Sequence, residues 1–256
     1  MSTDVQPQPL ALRASGLGFH VGGVQILADI DLAVVAGRFL GIIGPNGAGK
    51  TTLLNLLSGL LRASAGSIEL EGRDVTREKP ALRAQRGVGR TFQTSSLFNS
   101  LSVFENARLS AQARLGGSAR FWRRPRPSDD AIGAARAALE RVGLAHMASR
   151  TAGSLSHGDK RKLELAILLA AEARILLLDE PMAGVNSEDV PLLTSLIGQL
   201  HGEGRTVLMV EHHMSVVVGL ADTIAVLDSG RLLACGDPQS VIANEDVQSA
   251  YLGQPL

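Results

Sequence analysis

Between Leu10 and Val35 apolar and polar positions alternate in patches such as Ile26-Leu27-Ala28-Asp29-Ile30-Asp31-Leu32-Ala33-Val34, and Gly22-Gly23 interrupts them. Alternation at period two on either side of a glycine pair predicts an antiparallel sheet closed by a tight turn. The run Phe39-Leu40-Gly41-Ile42-Ile43 has no polar member and predicts a buried strand. A glycine-rich stretch and the helix-like Leu53-Leu54-Asn55-Leu56-Leu57 follow it. Gly66 to Gly72 alternates again and predicts an exposed strand, and the segment from there to about Gly89 reads as short helix and turn.

From about Gln93 to Gly153 the pattern is helical. Ser128 before Asp129 and Asp130 starts a helix, Ile132, Ala135, Leu139 and Val142 share one face, and Gly143 closes it. Strands at 174–178, 205–210 and 223–227 alternate with helical segments, which predicts a mostly parallel sheet. The expected organisation is a loose tail at 1–9 and one domain at 10–253. Within the domain, 10–92 and 154–236 form the core with its β subdomain, 93–153 an inserted helical subdomain, and 237–253 a C-terminal helical extension.

Composition narrows this picture. A chain of 256 residues, 45% hydrophobic, can fill one large domain or one domain with a subdomain. Lys plus Arg and Asp plus Glu are 25 each, so nothing favours a nucleic-acid partner, whose phosphates demand a basic face. The single cysteine, Cys235, excludes an internal disulfide. Met1 to Leu10 lacks the basic start and apolar core of a signal peptide. Glu164, Glu172 and Arg174 interrupt the longest apolar stretch before it reaches the roughly 18 residues of a membrane span. The expectation is a soluble protein, or one held at a membrane by something else. Arg120, Arg123, Arg124 and Arg126 beside Phe121 and Trp122 make a basic aromatic loop at 116–127, read as a solvated loop or as a surface for membrane or RNA.

The chemistry begins at Gly44-Pro45-Asn46-Gly47-Ala48-Gly49-Lys50-Thr51-Thr52, which has the form G-x-x-x-x-G-K-[ST] between a predicted strand and a predicted helix. Glycines at 44, 47 and 49 let successive N–H groups point inward at a helix N-terminus whose dipole favours anions. Lys50 adds a positive charge for β and γ phosphates, and Thr51 a hydroxyl for magnesium. Ile175-Leu176-Leu177-Leu178 is an apolar strand ending in Asp179-Glu180. At that edge Asp179 suits magnesium, and Glu180 can take the proton of an attacking water. Leu155-Ser156-His157-Gly158-Asp159 opens a helix whose apolar face is Leu163, Ala166, Ile167, Ala170 and Ala171, with Ser156 and Gly158 at its N-terminus where an anion can bind.

The order of phosphate loop, Gln93, Leu-Ser-x-Gly at 155–158, Asp179-Glu180 and His212 resembles the nucleotide-binding subunit of ATP-binding cassette (ABC) transporters, from about Leu10 to Gly253. The resemblance implies an α/β fold: a P-loop NTPase core with a mixed central sheet, an antiparallel β subdomain and an inserted helical subdomain. It also implies ATP and Mg2+ as ligands and a head-to-tail pair of subunits. Ser156 and Gly158 of one subunit would face the ATP held by the other. Glu180 is then the general base, His212 a contact to the γ-phosphate and attacking water, and Gln93 a sensor of magnesium and nucleotide. Val21 or Phe19 occupies the place of the aromatic that stacks on adenine.

The signature reads His157 and Asp159 where Gly and Gln are commonest, and Lys160, Arg161 and Lys162 are expected to offset Asp159. Asn186 stands where many members have Asp. Leu-Ser-His-Gly-Asp, Ala183-Gly184-Val185-Asn186, Val210-Glu211-His212-His213-Met214 and the ending Val247 to Gly253 are similar to the first ATPase subunit of branched-chain amino acid importers. That likeness implies two integral-membrane permeases, a second ABC ATPase subunit with a heterodimer favoured, and a periplasmic or lipoprotein substrate-binding protein. It also implies a place on the cytoplasmic face of a bacterial or archaeal membrane. Importers of urea and short-chain amides share this architecture. ATPases of DNA repair or translation and a non-hydrolysing nucleotide switch are the other readings.

Overall fold

The computed structural model describes residues 8–93, 96–115 and 129–251. Most of the expected tail, the basic stretch at 116–127 with its arginines, Phe121 and Trp122, the helix start at Ser128, and Leu252-Gly253 lie outside these residues. In chain order the elements are β1 (Leu10–Val21), β2 (Val24–Val35), β3 (Phe39–Ile43), α1 (Lys50–Ser58), β4 (Ala65–Leu70), β5 (Arg73–Asp74), α2 (Pro80–Gln85) and β6 (Val88–Arg90). They continue with α3 (Val103–Arg114), α4 (Asp129–Arg141), α5 (His157–Ala170), β7 (Ile175–Asp179), α6 (Val190–Gly202), β8 (Thr206–Val210), α7 (Met214–Leu220), β9 (Thr223–Asp228), β10 (Arg231–Gly236), α8 (Pro238–Ile242) and α9 (Glu245–Tyr251). The described chain divides into two compact units, 8–80 with 201–251, and 81–200. No helix among the described residues is long and apolar enough to cross a membrane.

In the first unit β1 and β2 form an antiparallel hairpin whose two turn residues, Gly22 and Gly23, both have positive φ. That is the turn geometry matching the right-handed twist of paired strands, and glycine supplies it without strain. β4 pairs with the other edge of β1 and β5 with β4, giving the order β2-β1-β4-β5. β3 lies between β8 and β9, parallel to both, and β10 closes antiparallel on β9. Every residue of β3 and β8 is buried, as the unbroken apolar runs require of parallel strands covered on both faces. The close approach of α7 fixes Gly41, because a Cβ there would lie 2.4 Å from Val217 Cγ1.

In the second unit β6 runs parallel to β7, with Arg90 opposite Leu177, and α3, α4 and α5 pack on one another. α3 is started by Ser102, whose hydroxyl accepts from the Glu105 N–H three residues on. α4 buries Ala131, Ala135, Ala138 and Leu139 at helical spacing, Ile132 of the expected face is half-buried, Val142 is buried just past its end, and Gly143 follows at positive φ. The helical region expected at 93–153 lies in this unit together with α5 and β7. Two readings of the pattern change. The segment 70–89 also holds the short strands β5 and β6, and α5 is buried nearly all round, with Glu164, Leu165, Leu168 and Leu169 inside beside Leu163, Ala166 and Ala170 of the expected stripe, while Ile167 and Ala171 are half-buried.

Candidate functional site

In the first unit β3 runs directly into the loop Gly44 to Thr52, and α1 starts at Lys50. Gly44, Gly47 and Gly49 have φ of 150°, 82° and 97°. A Cβ on Gly44 would lie 2.0 Å from the Leu227 carbonyl oxygen, and one on Gly49 2.6 Å from Leu27 Cδ2 and 3.2 Å from the Ile26 carbonyl oxygen. The loop is thus clamped between β2 and the end of β9, and Gly230 in the β9–β10 turn ties both sides, donating to the Ala48 carbonyl and accepting from the Ala28 N–H. Pro45 is half-buried, Asn46 and Gly47 are exposed and Ala48 is buried. No side chain caps α1 at its N-cap, Gly49.

Lys50 is buried, and its Nζ donates to the Gly44 and Pro45 carbonyls at 2.6 and 2.9 Å. Its ammonium is therefore held over the loop by the loop's own backbone. Thr51 is exposed and Thr52 half-buried on the first turn of α1. A clamped, glycine-rich backbone around a helix N-terminus with an ammonium above it fits a polyphosphate. On the same unit Val21 is 57% exposed at the end of β1, while Phe19 is half-buried opposite Leu27.

His212 is exposed just after β8, and the buried Glu211 shapes its backbone. One carboxylate oxygen of Glu211 accepts the N–H groups of His212 and His213 at 3.0 and 3.3 Å and lies 2.9 Å from His213 Nδ1. In the sequence Glu211 and His213 entered only through a subfamily likeness, because a Glu before a His carries no spacing that reveals this hydrogen-bonding role.

In the second unit β7 ends in Asp179, which is 1% exposed, so this carboxylate stays inside rather than emerging at the strand edge. It survives there because Arg90 Nη2, at the end of β6, donates to its Oδ2 at 3.1 Å. The Asp179 N–H also donates to the Thr91 hydroxyl. Burial pushes the Arg90 guanidinium below its ordinary value, opposed by its pairing with Asp179. Glu180 follows at a φ of 47°, a left-handed conformation costly for a side chain with a Cβ. It is half-buried, and its Oε2 accepts from Gln93 Nε2 at 3.0 Å. The structure thus brings Gln93 to Glu180 across 87 positions of sequence.

α5 is capped by Ser156, whose Oγ accepts from the Asp159 N–H at 3.1 Å and donates to Asp159 Oδ2 at 2.9 Å. Asp159 therefore orients the signature hydroxyl. Of the three basic residues expected to offset it, Lys162 does so, with Nζ 3.2 Å from Asp159 Oδ1. Arg161 instead turns inward and is buried beside Glu164. Gly158 packs closely against Asp189: a Cβ there would lie 2.8 Å from Asp189 Oδ2, so a larger residue would push that carboxylate aside. Thr51 in the first unit carries a hydroxyl and Asp179 in the second a carboxylate, each an oxygen donor of the class Mg2+ takes.

Comparison with known proteins gives the context for these parts. The chain matches the ABC transporter family over residues 27–183 and the branched-chain amino acid ATP-binding cassette transporter family over 231–255. It is 37% identical over 249 residues to the high-affinity branched-chain amino acid transport ATP-binding protein BraF of Pseudomonas aeruginosa, covering 95% of this chain and 98% of that one. It is likewise 37% identical over 253 residues to LivG of Escherichia coli, also a high-affinity branched-chain amino acid transport ATP-binding protein, covering 96% of this chain and 99% of that one. Among solved structures, the ADP conformation of an ATP-binding cassette of an ABC transporter is similar with a TM-score of 0.84 and 29% identity, covering 96% of this chain and 99% of that chain.

Proposed function

This chain belongs to the ABC transporter family of ATPases, and from that premise we propose that it powers uptake of branched-chain or related amino acids through partner permeases. The observation carrying the reading is the clamped loop Gly44 to Thr52, a backbone cradle in which side chains are sterically excluded at two of the glycines and Lys50 is poised above. Membership implies membrane permeases as partners. A pair of permeases, a second ATPase subunit different from this chain, a substrate-binding protein, and a position at the cytoplasmic face of the membrane complete the proposal.

In the proposed mechanism the N–H groups of the loop and of the first turn of α1 bind the phosphates of ATP, and Lys50 turns from the Gly44 and Pro45 carbonyls to the β and γ oxygens. Thr51 and Asp179 would hold Mg2+, which neutralises charge on the phosphate oxygens when bound. Glu180 takes the proton from the attacking water, and Gln93 holds its carboxylate in place through Nε2. His212 contacts the γ-phosphate and the water from its exposed position. Ser156 and Gly158 reach the γ-phosphate of the facing subunit, so ATP binding closes the dimer and hydrolysis with release reopens it. Affinity purification of the chain from membranes, followed by a phosphate-release assay, tests this. Integral membrane proteins and ATP hydrolysis are expected in the same fraction; recovery with ribosomes or DNA would overturn the importer reading.

A further inference from the structure

Arg161 is the member of the signature's basic run that leaves the surface. It lies on the first turns of α5, and its guanidinium is buried in the second unit. Nη1 donates to the Phe92 carbonyl at 2.9 Å and to Glu164 Oε2 at 2.9 Å. Nη2 donates to the Gln93 carbonyl at 2.8 Å and reaches the Ala183 carbonyl at 3.5 Å. Ala183 in turn donates its N–H to the Glu180 carbonyl at 3.0 Å, closing the turn in which Glu180 holds its positive φ. One planar fork therefore grips the backbone of Gln93 on one side and the turn after Glu180 on the other, and the Gln93 side chain bridges the two by donating to Glu180 Oε2. Glu164 fixes the plane of the fork from one helical turn away.

We propose that Arg161 is a positioning residue for hydrolysis: it holds Gln93 against the Glu180 carboxylate and couples that pair to the helix that begins at Ser156. A shift of α5 when Ser156 and Gly158 meet the facing nucleotide then reaches the Gln93–Glu180 pair of the same chain through a single side chain. The guanidinium is suited to this because its donors diverge in one plane toward separate carbonyls, which a lysine ammonium on a flexible stem cannot match. The inference rests on the ATPase reading given above.

The test is a double-mutant cycle in the full chain between Arg161→Lys and Gln93→Ala, with kcat for phosphate release and the Kd for ATP measured separately. Arg161→Lys is expected to lower kcat by about 10- to 100-fold, the scale of a small misplacement of a reacting group, with the ATP Kd unchanged within about twofold. In the Gln93→Ala background the same change is expected to cost less than about twofold. Equal losses in both backgrounds, or an undiminished kcat, would overturn the proposal. If Arg161→Lys fails to melt cooperatively, Arg161→Met with Glu164→Leu removes both buried charges together and reports the same cycle. A second readout does not depend on turnover: the Gln93 side-chain amide resonances, assigned by their loss in Gln93→Ala, should move toward free-amide positions in Arg161→Lys. Unmoved resonances would overturn the positioning role even if the wild-type chain hydrolyses no ATP, an outcome that would itself refute the ATPase reading.

Discussion

Replacing Glu180 by Gln isolates the proposed proton-accepting role from the packing around it. The substituted amide keeps an oxygen where Glu180 Oε2 now accepts from Gln93 Nε2 at 3.0 Å, so that hydrogen bond survives. The charge is lost at a half-buried position, so the change in stability should stay within about 1 kcal/mol. Removal of a general base costs about 10²- to 10⁴-fold in rate. At 1.36 kcal/mol per decade this is about 2.7 to 5.4 kcal/mol of transition-state stabilisation. Because Lys50 and the glycine loop are untouched, ATP should bind as before. The assay is phosphate release at saturating ATP, with nucleotide binding by fluorescence and a thermal melt as controls. Wild-type turnover with ATP bound would refute the assignment of Glu180 as base, and loss of ATP binding would show that the residue acts by holding the fold.

Gly49→Ala places a Cβ 2.6 Å from Leu27 Cδ2 at a φ of 97°, so it should cost about 1–3 kcal/mol. At roughly 2–4 °C per kcal/mol for a chain of this size, the melt should fall by several degrees and nucleotide binding should be lost; an unchanged melt would contradict the clamped loop. Ser156→Ala removes the cap that accepts from the Asp159 N–H, at a cost of about 1 kcal/mol in a denaturant titration. The same change should lower hydrolysis without weakening ATP binding to the chain's own loop. Arg90→Met strips Asp179 of a cation in a pair whose side chains are 6% and 1% exposed, and about 3–5 kcal/mol should go with it. A loss below about 1 kcal/mol would show that Asp179 does not depend on Arg90.

The strand, glycine loop and helix from Phe39 to Ser58 were legible because each has a local pattern: an unbroken apolar run, glycines at fixed offsets, then leucines at helical spacing. β10 escaped because Arg231-Leu232-Leu233-Ala234-Cys235-Gly236 shows no polar alternation, although its residues alternate between exposed and half-buried. β5 and β6 are two and three residues long, too short for periodicity to register. Arg161 looked like one more surface cation in a basic run, because nothing local signals that α5 is enclosed on almost all sides. The contact of Gln93 with Glu180 and the ion pair of Arg90 with Asp179 join residues far apart in sequence. Only the parallel pairing of β6 with β7 brings those segments level.

The central claim is that ATP hydrolysis by this chain drives amino-acid uptake. Uptake of radiolabelled leucine in cells lacking the chain, complemented with either the wild type or Glu180→Gln at equal expression, tests it most directly. Uptake restored by the wild type and absent with Glu180→Gln is the predicted result, and equal uptake with both would contradict the account.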